Sequence, residues 1–229
     1  MLCDIKDEEL TKSFSVIFLF ISITLFSQTT DNNKHLSLLG KCSESDWVEG
    51  KCYEQIEKAA DHKYFHREGS QLHIILSNQK EVVLTNVAYD GETNFGEIRV
   101  FNYFSFLEAI NYHLIHVSLF EGIYYLLINN KNGTTYTLDD MPVFSPNNTK
   151  FVTACAAIVH SSNCIYFWKL NDENCIMIFT YPLGTLDRTY YNDVRWLNDY
   201  ELEIKYDSDK LTNKLKFEYL NNVILFRKE

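Results

Sequence analysis

The chain has 229 residues, of which 46% are hydrophobic and 15% aromatic, with only three prolines. This apolar content is sufficient for one globular domain, at most two, and it excludes long disordered tracts. The formal net charge of −10 at pH 7 predicts no binding to nucleic acid, because an acidic surface repels the phosphate backbone.

The first thirty residues have the pattern of a targeting segment. The nearly continuous apolar stretch Phe14–Phe26 fits the core of a signal peptide and is too short to span a bilayer comfortably. The sequence becomes polar directly after Ser27, which predicts a signal peptide over residues 1–27 with cleavage near Ser27. The leader before the core is net acidic rather than positive, and the alternatives are a retained membrane anchor or a misplaced start codon. We expect a secreted or periplasmic protein with no integral membrane span after cleavage.

Residues 28–69 are predicted to form an N-terminal segment that carries cysteines and one short helix. The helix is expected over Lys51–Phe65, where apolar residues recur at three- and four-residue spacing. Five cysteines follow residue 27, so at least one thiol stays free or pairs with another chain. Cys42 and Cys52 enclose a short polar loop and are the predicted disulfide.

From residue 70 to residue 229 the sequence predicts strands. Short runs rich in β-branched and aromatic residues alternate with turns such as SNQK, NNKNG and NDEN. Asn and Gly suit these turns because they tolerate the positive φ of tight hairpins. One segment, Phe104–Tyr112, fits either a strand and turn or one helical turn. The predicted domain is all-β, an antiparallel meander of propeller-like hairpin blades, with a β-sandwich as the alternative. The predicted strands are Leu72–Leu76, Glu81–Thr85, Glu97–Phe101, His113–Leu119, Tyr124–Asn129, Thr134–Leu138, Lys150–Ala154, Cys164–Leu170, Cys175–Tyr181, Glu201–Tyr206, Lys214–Tyr219 and Val223–Arg227.

The stretch PVFSPNNTKFVTA, residues 142–154, carries a family resemblance. It is similar to the F-S-P-D-G-x-K-hydrophobic motif of TolB-type, WD-repeat-like β-propeller proteins, with two asparagines in place of Asp-Gly. Trp196–Leu202 is a degenerate second copy, and Tyr89-Asp90-Gly91 is a fainter third. The residues that carry the motif are Phe144, Ser145, Pro146, Asn147, Asn148 and Trp196.

The resemblance covers about residues 120–206. It implies a structural role for the motif, in which the aromatic residue packs between blades and the asparagines form the turn before the next strand. Proteins with this repeat are mostly binding or scaffolding modules of the bacterial envelope, so the resemblance implies a binding function. A fold of this kind does not by itself determine a function.

The sequence predicts no catalytic, cofactor-binding or metal-ligating residue. His62 and His66 lie four apart, a spacing that would place both imidazoles on one face of a helix. No third ligand is identifiable, so solvated histidines at the helix end are the better interpretation. His113 and His116 lie three apart in a predicted strand, on opposite faces, which favours structural roles. The chain contains no nucleophile elbow, P-loop, dinucleotide-binding glycine triplet or HExxH motif.

The aromatic residues are the remaining signal for function. Most of them must fill the core of a small β protein, yet an exposed group would form a platform for a sugar or a peptide. The two candidate groups are Phe120 with Tyr124 and Tyr125, and Trp196 with Tyr190 and Tyr191.

The prediction that follows is a non-enzymatic binding or interaction module with a protein or glycan partner in the cell envelope. A contiguous apolar surface patch without a deep polar pocket would favour it. One alternative is a hydrolase of an envelope polymer whose site assembles from distant loops, with His160, Asp187 and Asp193 as candidates. The other is a purely structural component of the envelope.

Overall fold

The computed structural model describes residues 51–90, 92–120, 122–155, 164–171, 173–182, 190–208, 211–220 and 223–228. The chain divides into two compact units, Met1–Cys52 and Tyr53–Glu229, and the described residues belong almost entirely to the second. The predicted signal peptide, its cleavage near Ser27 and the cysteine pair that includes Cys42 lie outside the described residues. Within the described ranges, no helix is long and apolar enough to cross a membrane.

Within the described part of the chain, one α-helix is followed by four antiparallel sheets. Helix α1 spans Lys51–Ala59. In each sheet the strands are arranged in chain order, and each strand pairs antiparallel with the next. This confirms the prediction of an all-β antiparallel meander with one short helix. Sheet I contains β1 (Phe65–Glu68), β2 (Gln71–Ile75) and β3 (Glu81–Thr85); sheet II contains β4 (Arg99–Leu107), β5 (Tyr112–Leu119), β6 (Gly122–Asn129) and β7 (Thr135–Leu138); sheet III contains β8 (Val143–Phe144), β9 (Lys150–Cys155), β10 (Cys164–Leu170) and β11 (Cys175–Pro182); sheet IV contains β12 (Tyr190–Trp196), β13 (Glu201–Ser208), β14 (Leu211–Leu220) and β15 (Val223–Lys228).

The predicted helix over Lys51–Phe65 is too long. Helix α1 ends at Ala59, and a turn follows in which Asp61 Oδ1 accepts a hydrogen bond from Lys63 N at 3.1 Å. Phe65 then begins strand β1 and is only 1% exposed, because it packs in the core with its neighbours in sheet I. Strand β1 therefore lies before residue 70, the position at which the strands were predicted to begin. The ambiguous segment Phe104–Tyr112 is a strand and turn, since β4 runs to Leu107 and a short turn leads into β5.

Two hydrophobic clusters hold the sheets together. The first joins sheets I and II, and the second joins sheets III and IV. Strand β5 is buried along Tyr112–Val117 without alternation, and its two histidines are buried together with its apolar residues. The first cluster contains Ala60, Phe65, Leu72, Ile74, Leu76, Phe101, Tyr103, Ile115, Val117, Leu126 and Ile128; the second contains Val152, Ile165, Phe167, Leu202, Ile204 and Phe217.

The stretch PVFSPNNTKFVTA forms the first hairpin of sheet III, where Phe144 in β8 lies opposite Phe151 in β9. The turn depends on Asn148, whose φ of +56° is unusual for a residue other than glycine. The hydroxyl of Ser145 donates to the carbonyl of Lys150 at 3.0 Å and accepts from its N–H at 3.1 Å. The turn therefore leads directly into β9.

The second copy of the motif forms the corresponding first hairpin of sheet IV, and the two copies are in contact. Asn147 N donates to Asp199 Oδ1 at 2.8 Å, and Trp196 Nε1 donates to the carbonyl of Val143 at 2.9 Å. Tyr89, in the fainter third copy, lies instead in the connection between sheets I and II. The first hairpin of sheet II is the turn between β4 and β5, which has no F-S-P-like sequence.

Candidate functional site: an exposed aromatic surface

Four large apolar side chains form a patch that we call the aromatic surface. Tyr89 and Phe120 are each 55% exposed, and Phe95 is 48% exposed. The three rings form a column: Phe95 stacks with Tyr89 at a centroid distance of 5.1 Å and with Phe120 at 4.5 Å. The remaining member, Leu119, is 39% exposed and lies beside Phe95 and Phe120. A contiguous exposed group of this kind is a common mark of an interaction site.

The loop between β3 and β4 is ordered by side-chain hydrogen bonds, and these fix the positions of Tyr89 and Phe95. Asp90 Oδ1 accepts from the hydroxyl of Thr93 at 2.7 Å, from Thr93 N at 2.8 Å and from Glu92 N at 2.9 Å. These hydrogen bonds lower the pKa of Asp90 to about 2, and the bond from the Thr93 hydroxyl makes the largest contribution to the shift. Asn94 Oδ1 accepts from Gly96 N at 3.1 Å and caps the 3₁₀ turn Phe95–Glu97.

The other half of the aromatic surface comes from the hairpin between β5 and β6. Strand β5 is buried until Val117 and then emerges from the core at Leu119. Together with Phe95 and Gly96, Leu119 and Phe120 line a shallow groove of about 330 Å³. This volume lies at the lower end of the range of small-molecule sites and suits one or two apolar side chains.

The rim of the aromatic surface is acidic. Asp90, Glu92 and Glu97 are all exposed, and the low pKa of Asp90 keeps it charged at any physiological pH. Arg99, the first residue of β4, is a nearby cation, and its Nε donates to the carbonyl of Glu97 at 3.2 Å. The rim therefore favours a positively charged ligand.

The predicted aromatic platforms are largely core residues. Tyr125 is only 7% exposed, and Tyr124 packs against the first hydrophobic cluster. Trp196 packs against the second cluster, while the side chains of Tyr190 and Tyr191 lie outside the described residues. Phe120 alone of these is shown at the surface, where its neighbours are Phe95 and Tyr89 rather than the two tyrosines. The signal that sequence reasoning missed is the placement of two aromatic residues within the polar, turn-rich stretch YDGETNFGE.

The residues proposed for a hydrolase site are not brought together in the part of the chain that is described. His160 and Asp187 lie outside it, and Asp193 belongs to β12 with its side chain outside it. His113 and His116, in β5, are fully buried.

Burial lowers the pKa of His113 to about 4 and that of His116 to about 3. His113 Nδ1 lies 3.0 Å from the hydroxyl of Tyr103, and its Nε2 lies 3.1 Å from Asn130 Oδ1. These contacts connect two strands and a turn of sheet II, which is a structural role.

His66 has different neighbours from those expected. It lies in β1 rather than in a helix, and His62 contacts Phe65 instead, at a ring distance of 4.8 Å. The groups that face His66 are His73 and Glu81, and the potential ligand atoms of these three residues all lie within 4.8 Å of one another.

No family model matches the chain. A search of the curated proteins also gives no match. Among solved structures, the chain is similar to KlHsv2 with loop 6CD replaced by a Gly-Ser linker, with 12% identity and a TM-score of 0.32; the match covers 72% of this chain and 66% of that one. It is also similar to a putative 6-phosphogluconolactonase from Bacteroides uniformis, with 12% identity and a TM-score of 0.36, over 72% of this chain and 55% of that one. The chain thus spans about two thirds or less of these proteins, and similarity at this level assigns neither a family nor an activity.

Proposed function

We propose that this protein is a non-enzymatic binding module and that the aromatic surface binds a segment of a partner protein. The observation that carries the proposal is the exposed column of Tyr89, Phe95 and Phe120 beside a groove of about 330 Å³. Three aromatic side chains left half in water have an unfavourable free energy that burial against a partner would reverse. Aromatic anchors of this kind dominate the binding energy of protein interfaces.

The arrangement of the rings favours an apolar peptide segment over a glycan. Sugar-binding platforms offer a free aromatic face to the ligand, whereas Phe95 already stacks with two neighbouring rings. Beside the column lies a shallow apolar groove, which aliphatic or aromatic side chains can fill. The acidic rim of Asp90, Glu92 and Glu97 selects for lysine or arginine beside those side chains.

The compartment belongs to the same proposal. The predicted signal peptide over residues 1–27 would deliver the module to the periplasm or the outside of the cell, where the partner would be an envelope or secreted protein. The TolB-type resemblance agrees with this location and with a binding function. Mass determination of the exported protein tests it directly: cleavage after Ser27 is expected, and an exported chain that retains residues 1–27 would contradict it.

The binding function is testable with a displayed-peptide library selected on the full chain. Peptides that also bind a Phe95→Ser/Phe120→Ser double variant are removed by counter-selection. We expect the remaining peptides to carry one or two apolar anchors beside lysine or arginine. In fluorescence anisotropy they should bind the double variant at least tenfold more weakly than the unaltered chain.

A matched control is available in β11, where Ile176 and Met177 are 53% and 49% exposed. The Ile176→Ser/Met177→Ser variant removes a similar amount of exposed apolar surface at a distant strand and should leave peptide binding unchanged. Replacement of the lysines and arginines of a selected peptide by glutamate should weaken its binding to the unaltered chain. A selection that yields no peptide specific for the intact aromatic surface would contradict the proposal.

A further inference from the structure

One face of sheet I carries an unusual set of side chains. In the register of β1 and β2, His66 lies directly opposite His73, and in the register of β2 and β3, His73 lies opposite Val83. Glu81 is two residues before Val83, so it projects from the same face of the sheet. The opposite face of these strands is the buried one, where Leu72 and Ile74 are 0% exposed. Two imidazoles and a carboxylate thus share the outer face of three adjacent strands.

The three groups are in mutual contact. The rings of His66 and His73 stack with centroids 4.5 Å apart and an interplanar angle of 18°. His73 Nδ1 lies 2.8 Å from Glu81 Oε2. A second carboxylate borders the group, since Glu68 Oε1 lies 3.6 Å from His66 Nε2.

His73 is poorly explained as a purely structural residue. Its side chain is only 12% exposed, and its Nε2 is buried without a hydrogen-bond partner. A buried polar atom without a partner is destabilising, and an apolar side chain at this position would avoid that penalty. The imidazole is therefore better explained by its nitrogen chemistry than by its packing.

We propose that His66, His73 and Glu81 form a binding site for Zn²⁺. Imidazole nitrogen and carboxylate oxygen are preferred zinc ligands, and two histidines with one glutamate are an established three-ligand set that leaves one coordination position open. The ligand atoms lie within 4.8 Å of one another and need to approach to roughly 3.3 Å for tetrahedral coordination at bonds of about 2.0–2.1 Å. The side chains of His66 and Glu81 are each 40% exposed, which leaves them free to make this adjustment.

The ligand chemistry distinguishes zinc from the alkaline-earth ions. Mg²⁺ and Ca²⁺ prefer sites made only of oxygen ligands, whereas two of the three groups here are imidazoles. Glu68, which is exposed, borders the three ligands, and the open fourth position would admit a water molecule or a ligand group from a partner. The site is separate from the aromatic surface, and neither proposal depends on the other.

The test is titration of the metal-free full chain with Zn²⁺ against a chromophoric chelator. The unaltered chain should bind one Zn²⁺ at this site. We expect the His66→Asn and Glu81→Gln variants to bind that ion at least tenfold more weakly. Both substitutions are at exposed positions of the outer face and should leave the fold intact. Co²⁺ provides a second readout, because a four-coordinate site with nitrogen ligands gives visible d–d absorption that both variants should lose.

His62→Asn is the matched control, since His62 is an exposed histidine four residues away that contacts Phe65 instead of the cluster. It should bind Zn²⁺ as the unaltered chain does. Excess Mg²⁺ or Ca²⁺ should not displace the zinc. The proposal is overturned if the chain binds no Zn²⁺, or if His66→Asn and Glu81→Gln bind it with unchanged affinity.

Discussion

The outer edge of β4 shows how single side chains complete a sheet. β4 is an edge strand of sheet II, and exposed edge groups invite pairing with other chains. Here side chains occupy them: Arg67 Nη2 donates to the carbonyl of Phe101 at 2.8 Å, and Glu57 Oε2 accepts from Tyr103 N at 2.9 Å. Asn86 Oδ1 accepts from Phe101 N at 2.8 Å. Arg67 and Glu57 also form a two-pronged ion pair with N–O distances of 2.8 and 2.7 Å.

Replacement of Glu57 by alanine should strongly destabilise the protein. The substitution leaves the partly buried guanidinium of Arg67 without its carboxylate and the N–H of Tyr103 without its acceptor. We expect the free energy of unfolding in urea to fall by about 2–4 kcal/mol. Arg67→Lys should cost less, because lysine keeps the charge but loses the paired hydrogen bonds.

An exposed ion pair provides the comparison for this prediction. Lys131 Nζ lies 3.6 Å from Glu173 Oε1, and both side chains are more than 60% exposed. Lys131→Ala should change the free energy of unfolding by less than about 0.5 kcal/mol. Equal effects of Lys131→Ala and Glu57→Ala would show that the edge of β4 does not need its side-chain partners.

At the scale of the element, the hairpin turns use asparagine in two different ways. Asparagine is expected in turns because it tolerates positive φ, and this holds for Asn148 at +56° and Asn111 at +60°. Other turn asparagines work through the side-chain oxygen. Asn171 Oδ1 accepts from Asn174 N at 2.7 Å and from Glu173 N at 3.0 Å, and Asn198 Oδ1 accepts from Tyr200 N at 2.8 Å. These are Asx turns.

The two mechanisms predict opposite responses to glycine. Asn148→Gly should change the free energy of unfolding by less than about 0.5 kcal/mol, because glycine adopts positive φ without strain, whereas Asn148→Ala should cost about 1 kcal/mol. Asn171→Gly should also cost about 1 kcal/mol, because it removes two hydrogen bonds and adds flexibility to the unfolded chain. Urea denaturation measures all three. If Asn171→Gly leaves the stability unchanged and Asn148→Gly lowers it, these roles of the two asparagines are wrong.

The strands were predictable where their residues are locally distinctive, and the two proposed sites were not. A run such as CIYFWKL predicts a strand because it is rich in aromatic and β-branched residues. β12 (YYNDVRW) was not predicted because polar residues interrupt its apolar ones. The histidine cluster needs the register of β1 and β2, which the two-residue turn after Glu68 determines. Because the helix was expected to continue through Phe65, His66 was compared with His62 instead of His73. Phe120 was recognised as a candidate, but Phe95 stacks on it from a separate loop, and spacing along the chain does not report such a contact.

At the scale of the whole molecule, sheet II contains two histidines in the buried part of β5. His113 faces the first hydrophobic cluster, where it contacts Tyr64, Tyr103 and Phe106. His116 projects from the opposite face, where its ring contacts Tyr125 at 5.3 Å. Because burial opposes the charged form, their pKa values fall to about 4 and about 3, from an ordinary value of 6.5. Both histidines are therefore neutral in the folded protein over a wide pH range.

This burial makes the stability of the protein dependent on pH. In the unfolded chain both histidines bind protons as the pH falls through about 6.5, whereas in the folded chain they remain neutral until about pH 4 or below. The unfolded state thus binds more protons between these values, and the free energy of unfolding must decrease as the pH falls. Each histidine should contribute a loss of up to about 2 kcal/mol between pH 6.5 and 5. Urea denaturation at a series of pH values measures the slope. His116→Phe should reduce it, whatever its effect at pH 7. A free energy of unfolding that stays constant from pH 7 to pH 5 would mean that these two rings accept protons without leaving the core.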